Sequence, residues 1–266
     1  MNGLVDPGVV AAWDTIASAY QERYRIDPTR LHLGPMVPGP AELGLDLDPG
    51  GEAVLDYGCG AGQNAIACAL AGAHRIVAVD PSARQLALGR ELAERSGAQV
   101  DFRHLDPGHL DELPCDLDLV LSVYSLQYVP DAGRIVAALA RRLRSGGQLV
   151  VSVDHPVRTA GVWRDGDFVL GDYFVTGWES WDYDFPEQDL QVEMRRYRRP
   201  VGEWVGAFVS AGLRITHLLE PRPPATDDSF GRHSKYGTGD PRNVFSRARL
   251  ERVPGSLVLV GERDRP

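Results

Sequence analysis

The sequence predicts an α/β domain, a doubly wound and mostly parallel sheet with helices on both faces, and three observations lead there. Strand-like apolar runs alternate with helical patterns from residue 53 to residue 154. The first of those runs ends in a glycine-rich stretch, Asp56-Tyr57-Gly58-Cys59-Gly60-Ala61-Gly62, which opens a helical pattern. A length of 266 residues with 43% hydrophobic content suits one domain with a large core.

Residues 9–25 read as a helix, with Val10, Trp13, Ile16 or Ala17, and Tyr20 on one stripe. Proline and glycine crowd residues 34–40, a loop before a short helix at 40–45. Strands are expected at 53–57, 75–80, 99–104, 117–123 and 147–154, with helices near 62–72, 82–95 and 131–144. Asp131 suits the N-cap of the last of these, and Gly146 follows its end. Ile135, Leu139 and Leu143 recur every four residues, so they should face the sheet.

Past Val153 the period breaks. Residues 156–199 carry Trp163, Phe168, Tyr173, Trp178, Trp181, Tyr183 and Phe185 between glycine and aspartate turns, with little helical signal. A helix resumes over 201–211, and residues 213–220 and 256–261 complete a set of seven strands. One domain is therefore expected, with 1–50 as a helical cap and 51–155 as the ligand-binding core. Residues 156–199 and 221–255 leave the carboxyl ends of strands and should cover an acceptor pocket; 200–220 and 256–266 supply the last helix and strand pair.

The net charge of −9 argues against a nucleic-acid partner. No stretch of 18 uncharged apolar residues is present, so no membrane span is expected. Cys59, Cys68 and Cys115 lack metal-ligand spacing, which predicts no metal site and fits a reducing cytoplasm. The one basic cluster, Arg195-Arg196-Tyr197-Arg198-Arg199, reads as a solvated strand, or else as a clamp for a phosphate or carboxylate.

Glycines at 58, 60 and 62 let backbone approach a ligand, because no Cβ stands in the way. Gly60 to Ala65 satisfies the dinucleotide pattern G-x-G-x-x-[GA], so a nicotinamide oxidoreductase is one reading. Asp56, two residues before the first glycine, would repel a pyrophosphate and attract a cation. Asp80 closes the next strand-like run, where an acid suits a ribose diol under either reading.

Together these residues resemble the class I S-adenosylmethionine-dependent methyltransferases, in their small-molecule, type 11/25-like branch. The resemblance is carried by Val54 to Gly62, Val77 to Asp80, His104-Leu105-Asp106, Asp118 to Ser122 and Ser145 to Leu149, across roughly residues 50–155. Trp13 to Tyr20 and His32 to Pro38 also look like that branch. It implies a Rossmann-like sheet whose last strand runs antiparallel, and S-adenosyl-L-methionine as cofactor. Asp56, Gly58, Cys59, Gly60, Asp80, Pro81, Leu105, Asp106 and Ser122 would hold that cofactor. Asp80 would accept the ribose hydroxyls and Asp106 the adenine amino group, while Tyr20 and His32 would reach the methionine carboxylate.

Tyr124, Tyr128, Trp178 and Trp181 are the candidate acceptor pocket, with aromatic core as the alternative. His155, at the end of the fifth strand, is the candidate general base, or else it orients the following loop. The implied activity is in-line methyl transfer to an O, N or C nucleophile of a small molecule, expected in bacterial secondary metabolism. A pocket of the same fold doing non-methylating chemistry is an alternative, and a homodimer stays open.

Overall fold

A computed structural model describes residues 4–106, 109–224 and 244–264; most of the expected insert at 221–255 lies outside the described residues. Helix α1 (Pro7–Tyr24) comes first, capped by Asp6, whose carboxylate accepts the Gly8 N–H at 2.7 Å, with Pro7 in the first turn. The alternation then unfolds as β1 (Ala53–Tyr57), α2 (Gln63–Leu70), β2 (Arg75–Asp80), α3 (Ala83–Ser96), β3 (Asp101–His104), β4 (Leu117–Val123), α4 (Ala132–Arg142) and β5 (Leu143–Asp154). Ser82 caps α3 by accepting from Gln85 N, and the left-handed Gly97 ends it. Asp131 caps α4 as expected, accepting from Arg134 N.

Strand β5 starts at Leu143, four residues before the expected 147. Leu143 leaves the helix in extended conformation and pairs with Leu117. Its side chain is buried against the sheet either way, so helical spacing alone did not separate the two outcomes.

After β5 come α5 (Pro156–Thr159), the hairpin β6 (Gly161–Arg164) and β7 (Asp167–Leu170), and the hairpin β8 (Gly177–Phe185) and β9 (Leu190–Arg198). Helix α6 (Val201–Ser210), β10 (Leu213–Leu219), α7 (Arg247–Leu250) and β11 (Ser256–Arg263) finish the chain. The main sheet runs β10-β11-β5-β4-β1-β2-β3. Neighbours from β5 to β3 are parallel, and β11 is antiparallel to both β5 and β10. This is the expected Rossmann-like sheet with an antiparallel last strand. Strand order reverses between β1 and β4, which opens a crevice beyond their carboxyl ends.

Two apolar clusters sandwich the sheet. One joins Leu55, Val79, Val120 and Val151 to Ile135 and Leu139 of α4 and Trp204 and Phe208 of α6. The other joins Val54, Ala78, Leu121 and Val150 to Ala65 and Cys68 of α2 and to Leu33. A third lies outside the sheet, where Ala12, Ile16 and Ala19 of α1 pack on Phe185, Met194 and Trp181 of the β8–β9 hairpin.

The arginine cluster is not a solvated strand. Arg199 is buried, donates to the Val129 and Pro130 carbonyls, and lies 4.6 Å from the Trp204 ring centre. Arg196 pairs with Asp154 at 3.0 Å and Glu179 at 2.7 Å. Loop carbonyls and carboxylates distant in sequence take up these charges.

Candidate functional site

Backbone hydrogen bonds pin the glycine loop to the neighbouring strand. Gly58 N and Cys59 N both donate to the Val79 carbonyl, at 2.9 and 3.0 Å, which holds the loop against β2. Gly58 has φ +71°, and a Cβ there would lie 2.3 Å from the Ser125 Cβ, so only glycine fits.

Asp56 faces the first turn of α2, where its carboxylate accepts from Ala65 N at 3.2 Å. Burial pushes its pKa up to about 7, with the Asp80 charge adding to the rise and the Ala65 bond opposing it. Burial likewise raises Asp80 to about 6, against its hydrogen bonds from Ser82 and Gly60. Those two N–H groups leave Asp80 with lone pairs to spare, since a carboxylate offers about four.

Over the loop lies a cavity of about 180 Å³, roofed by α1. Three amides fasten the roof. Gln63 Nε2 donates to Gln21 Oε1 at 2.6 Å, and Gln21 Nε2 donates to Gln85 Oε1 at 3.0 Å. On the same helix, Asp14 accepts from Ser82 Oγ at 2.5 Å and Arg84 N at 3.1 Å.

The cavity has two characters. Gln21, Gln63, Asn64 and His32 make a polar end, while Val5, Val9, Leu105 and Val129 make an apolar one. Asn64 clamps the His32 backbone, accepting from its N–H at 2.9 Å and donating to its carbonyl at 3.0 Å. Burial lowers the His32 ring to about 4, so it is neutral at pH 7. Asp56 and Asp80 bring carboxylates to the lining, and no lysine or arginine is among its described residues.

Tyr20, His32, Asp56, Gly58, Cys59, Gly60, Asp80, Pro81, Leu105, Tyr124 and Tyr128, all singled out in the sequence, line this one cavity. Tyr124 sits in the left-handed region at φ +55°, with its hydroxyl 2.6 Å from Ser256 Oγ and its ring against Gly34. A Cβ on Gly34 would meet that ring at 2.3 Å.

Five expected residues are elsewhere. Ser122 is fully buried behind the wall, bonded to Ser125 Oγ at 2.6 Å. Asp106 is exposed and outside the lining. Trp178 packs on Tyr197, with Arg195 over its ring. Trp181 is outside the lining, in the cluster that holds Trp13, Tyr20 and Tyr128.

His155 departs most from its expected role. It is fully buried and caps α5, its Nδ1 accepting from Val157 N at 3.1 Å. Its Nε2 therefore carries the proton and donates to Glu220 Oε1 at 2.7 Å. Both nitrogens are occupied, and burial lowers the ring's pKa against the pull of Glu220. This geometry fits the alternative that His155 orients the following loop.

The insert at 156–199 also acts differently. None of its residues lines the cavity; the β8–β9 hairpin instead braces the outer face of α1. Arg195 pairs with Asp6 at 2.6 Å, and Arg23 donates to the Asp184 carbonyl at 2.7 Å. Gln21, Gln63 and Asn64 escaped sequence reasoning. Two amides directly after Gly62, at positions where a packed helix would be apolar, were the available signal for the latter pair.

These features match S-adenosylmethionine: a glycine cradle, an acid with spare lone pairs for a diol, a polar end for an amino acid, and carboxylates facing a cation. A family model described as a methyltransferase domain matches residues 54–147. A ubiquinone biosynthesis O-methyltransferase from Aromatoleum aromaticum is 33% identical over 194 residues, covering 71% of this chain and 76% of that one. A putative S-adenosylmethionine-dependent methyltransferase from Listeria monocytogenes aligns with TM-score 0.64 at 22% identity, over 85% of this chain and 98% of its own. One from Mesorhizobium loti aligns with TM-score 0.62 at 25% identity, over 84% and 96%. No helix of the described residues is long and apolar enough to cross a membrane. Glycine loop, sheet order and sequence relatives agree, and the chain belongs to the class I S-adenosylmethionine-dependent methyltransferases, type 11/25-like.

Proposed function

We propose that this enzyme methylates an oxygen of a small, uncharged and largely apolar acceptor. The observation that carries the reading is the lining of the cavity: Tyr124, Tyr128, Trp13 and Pro35 share it, and no lysine or arginine is among its described residues to pair with an anionic acceptor. The name of the Aromatoleum relative supports oxygen as the nucleophile. It also supports an acceptor of primary metabolism in place of the secondary metabolism expected from sequence. The nicotinamide alternative is set aside by the family.

S-adenosylmethionine supplies a methyl group on a sulfonium, already bonded to a good leaving group. The chain's share of the work is placement, and the proton of the acceptor hydroxyl leaves to solvent as the C–O bond forms and the C–S bond breaks. Asp80 takes the ribose hydroxyls, and Gln21, Gln63 and Asn64 take the amino-acid end. Asp56 balances the cation, and the aromatic wall holds the acceptor oxygen in line. Alignment of this kind supplies much of the barrier reduction in a displacement.

The test is a turnover assay with S-adenosylmethionine and matched acceptors: neutral phenols, the same phenols bearing a carboxylate, and aromatic amines. Methyl ethers formed from the neutral phenols, identified by mass, are expected. Preference for the carboxylated set or for the amines would contradict the reading.

A further inference from the structure

His32 lines the cavity with a ring that is neutral at pH 7, so one ring nitrogen carries a proton and the other a lone pair. Neither nitrogen has a hydrogen-bond partner among the described residues, because the Asn64 bonds reach only the His32 backbone. Yet the ring is not sealed. Among the described residues, the side-chain atoms both closed to solvent and unpartnered are Tyr57 Oη and Ser246 Oγ. The His32 nitrogens, equally unpartnered, therefore keep open surface, and the open space beside them is the cavity.

The backbone around the ring is held on both sides. Asn64 clamps His32 itself, and Ser152 Oγ donates to the Leu33 carbonyl at 2.5 Å. Leu33 is buried in the apolar cluster against the sheet. Gly34 and Pro35 return to the cavity, where Gly34 lies against the Tyr124 ring. His32 thus stands between the amides of the amino-acid end and the aromatic wall, the stretch where methyl group and acceptor meet.

We propose that His32 is the general base of the reaction, taking the proton of the acceptor hydroxyl on its unprotonated ring nitrogen. This rests on the cavity under α1 being a site of methyl transfer to oxygen. A lone pair of the acceptor oxygen forms the C–O bond, the C–S bonding pair stays on sulfur, and the hydroxyl proton passes to His32 and then to solvent. Even a weakly basic, buried imidazole suffices, because a hydroxyl oxygen that is gaining a methyl is a far stronger acid than an imidazolium. Positive charge leaves the sulfur as it appears on the ring, so the charge facing the Asp56 and Asp80 carboxylates is conserved across the step.

The test compares His32→Gln and His32→Ala with wild type on two phenols, one neutral at the assay pH and one, a nitrophenol, already ionised. Turnover of the neutral phenol should fall about 10²–10⁴-fold in both variants. The ionised phenol has no proton to give, so its turnover should stay within about threefold of wild type. Added imidazole should restore part of the neutral-phenol rate in His32→Ala. Calorimetric titration of S-adenosylhomocysteine should give affinities within about threefold of wild type, which also shows that both variants fold. Affinity about tenfold weaker in His32→Gln would overturn the proposal and give the ring to the methionine carboxylate. Equal turnover losses on the two phenols would overturn it as well, leaving His32 as part of the wall. Wild-type protein that methylates aromatic amines and neither phenol would bring down the oxygen-acceptor reading itself, and His32 as base with it.

Discussion

Asp80 accepts the backbone N–H of Gly60 through one carboxylate oxygen and that of Ser82 through the other, both at 2.8 Å. One side chain thus joins the glycine loop after β1 to the capping residue of α3. An acid that lines the cavity thus also holds the loop backbone beneath it.

The two buried acids should make cofactor binding depend on pH. Asp56 lies at about 7 in the folded protein against an ordinary 3.8, and Asp80 at about 6. For carboxylates raised in this way, the contribution to stability is complete below about pH 4 and is lost as pH rises through the folded values. The melting temperature of the ligand-free protein should therefore fall from pH 5 to pH 8, and Asp56→Asn should flatten that fall. A cationic ligand favours the ionised form. The charged fraction of a group titrating near 7 rises from about a tenth at pH 6 to about nine tenths at pH 8, so affinity for S-adenosylmethionine should rise by about tenfold. S-adenosylhomocysteine carries the same amine without the sulfonium and should show a smaller rise. Parallel profiles for the two ligands in calorimetry would remove Asp56 from cation recognition.

The amide chain Gln63–Gln21–Gln85 fastens the roof to the core. Gln21→Leu breaks both bonds and leaves the Gln63 and Gln85 amides buried without their partner. Affinity for S-adenosylhomocysteine should weaken by about 5–50-fold, from about 1–2 kcal/mol of lost bonding. Hydrogen exchange should rise in residues 7–24 ahead of β1 and β4. Exchange that stays uniform would mean that the Asp14 bonds and the β8–β9 hairpin hold the roof without the amides.

His155→Ala should act on stability rather than on chemistry. Loss of the Glu220 bond and of the α5 cap should lower the unfolding free energy by about 1–3 kcal/mol in denaturant titration. Turnover at saturating substrates should stay within about threefold of wild type. A loss of about 10² in turnover at unchanged stability would restore His155 as a base acting on the acceptor.

The sheet and the cofactor loop were legible in the sequence because their signals are local. A strand ending in Asp56, alternating glycines and an acid at the next strand end lie within 25 residues of chain, Asp56 to Asp80. The two insert hairpins were not legible. The strands of each hairpin pair with each other, β8–β9 packs on α1, and their aromatic faces carry no period that distinguishes a pocket wall from a brace. Trp178 and Trp181 looked like pocket residues for that reason. Gln21 and Gln63 are 42 positions apart, and nothing near either one announces the other. His155 sits where a strand end meets the crevice by topology, but the acid that occupies its ring, Glu220, follows it by 65 residues. Buried polar partners at long range are what single-sequence reading misses here.

The measurement closest to the central claim is calorimetric titration of S-adenosylhomocysteine into wild type and Asp80→Ala. One site per wild-type chain is expected. A loss of tenfold or more is expected in the variant, whose circular dichroism should stay native, because a charge-assisted hydrogen bond to a ligand hydroxyl is worth about 1.5–3 kcal/mol. Equal affinity in the two proteins, or no binding to wild type, would contradict it.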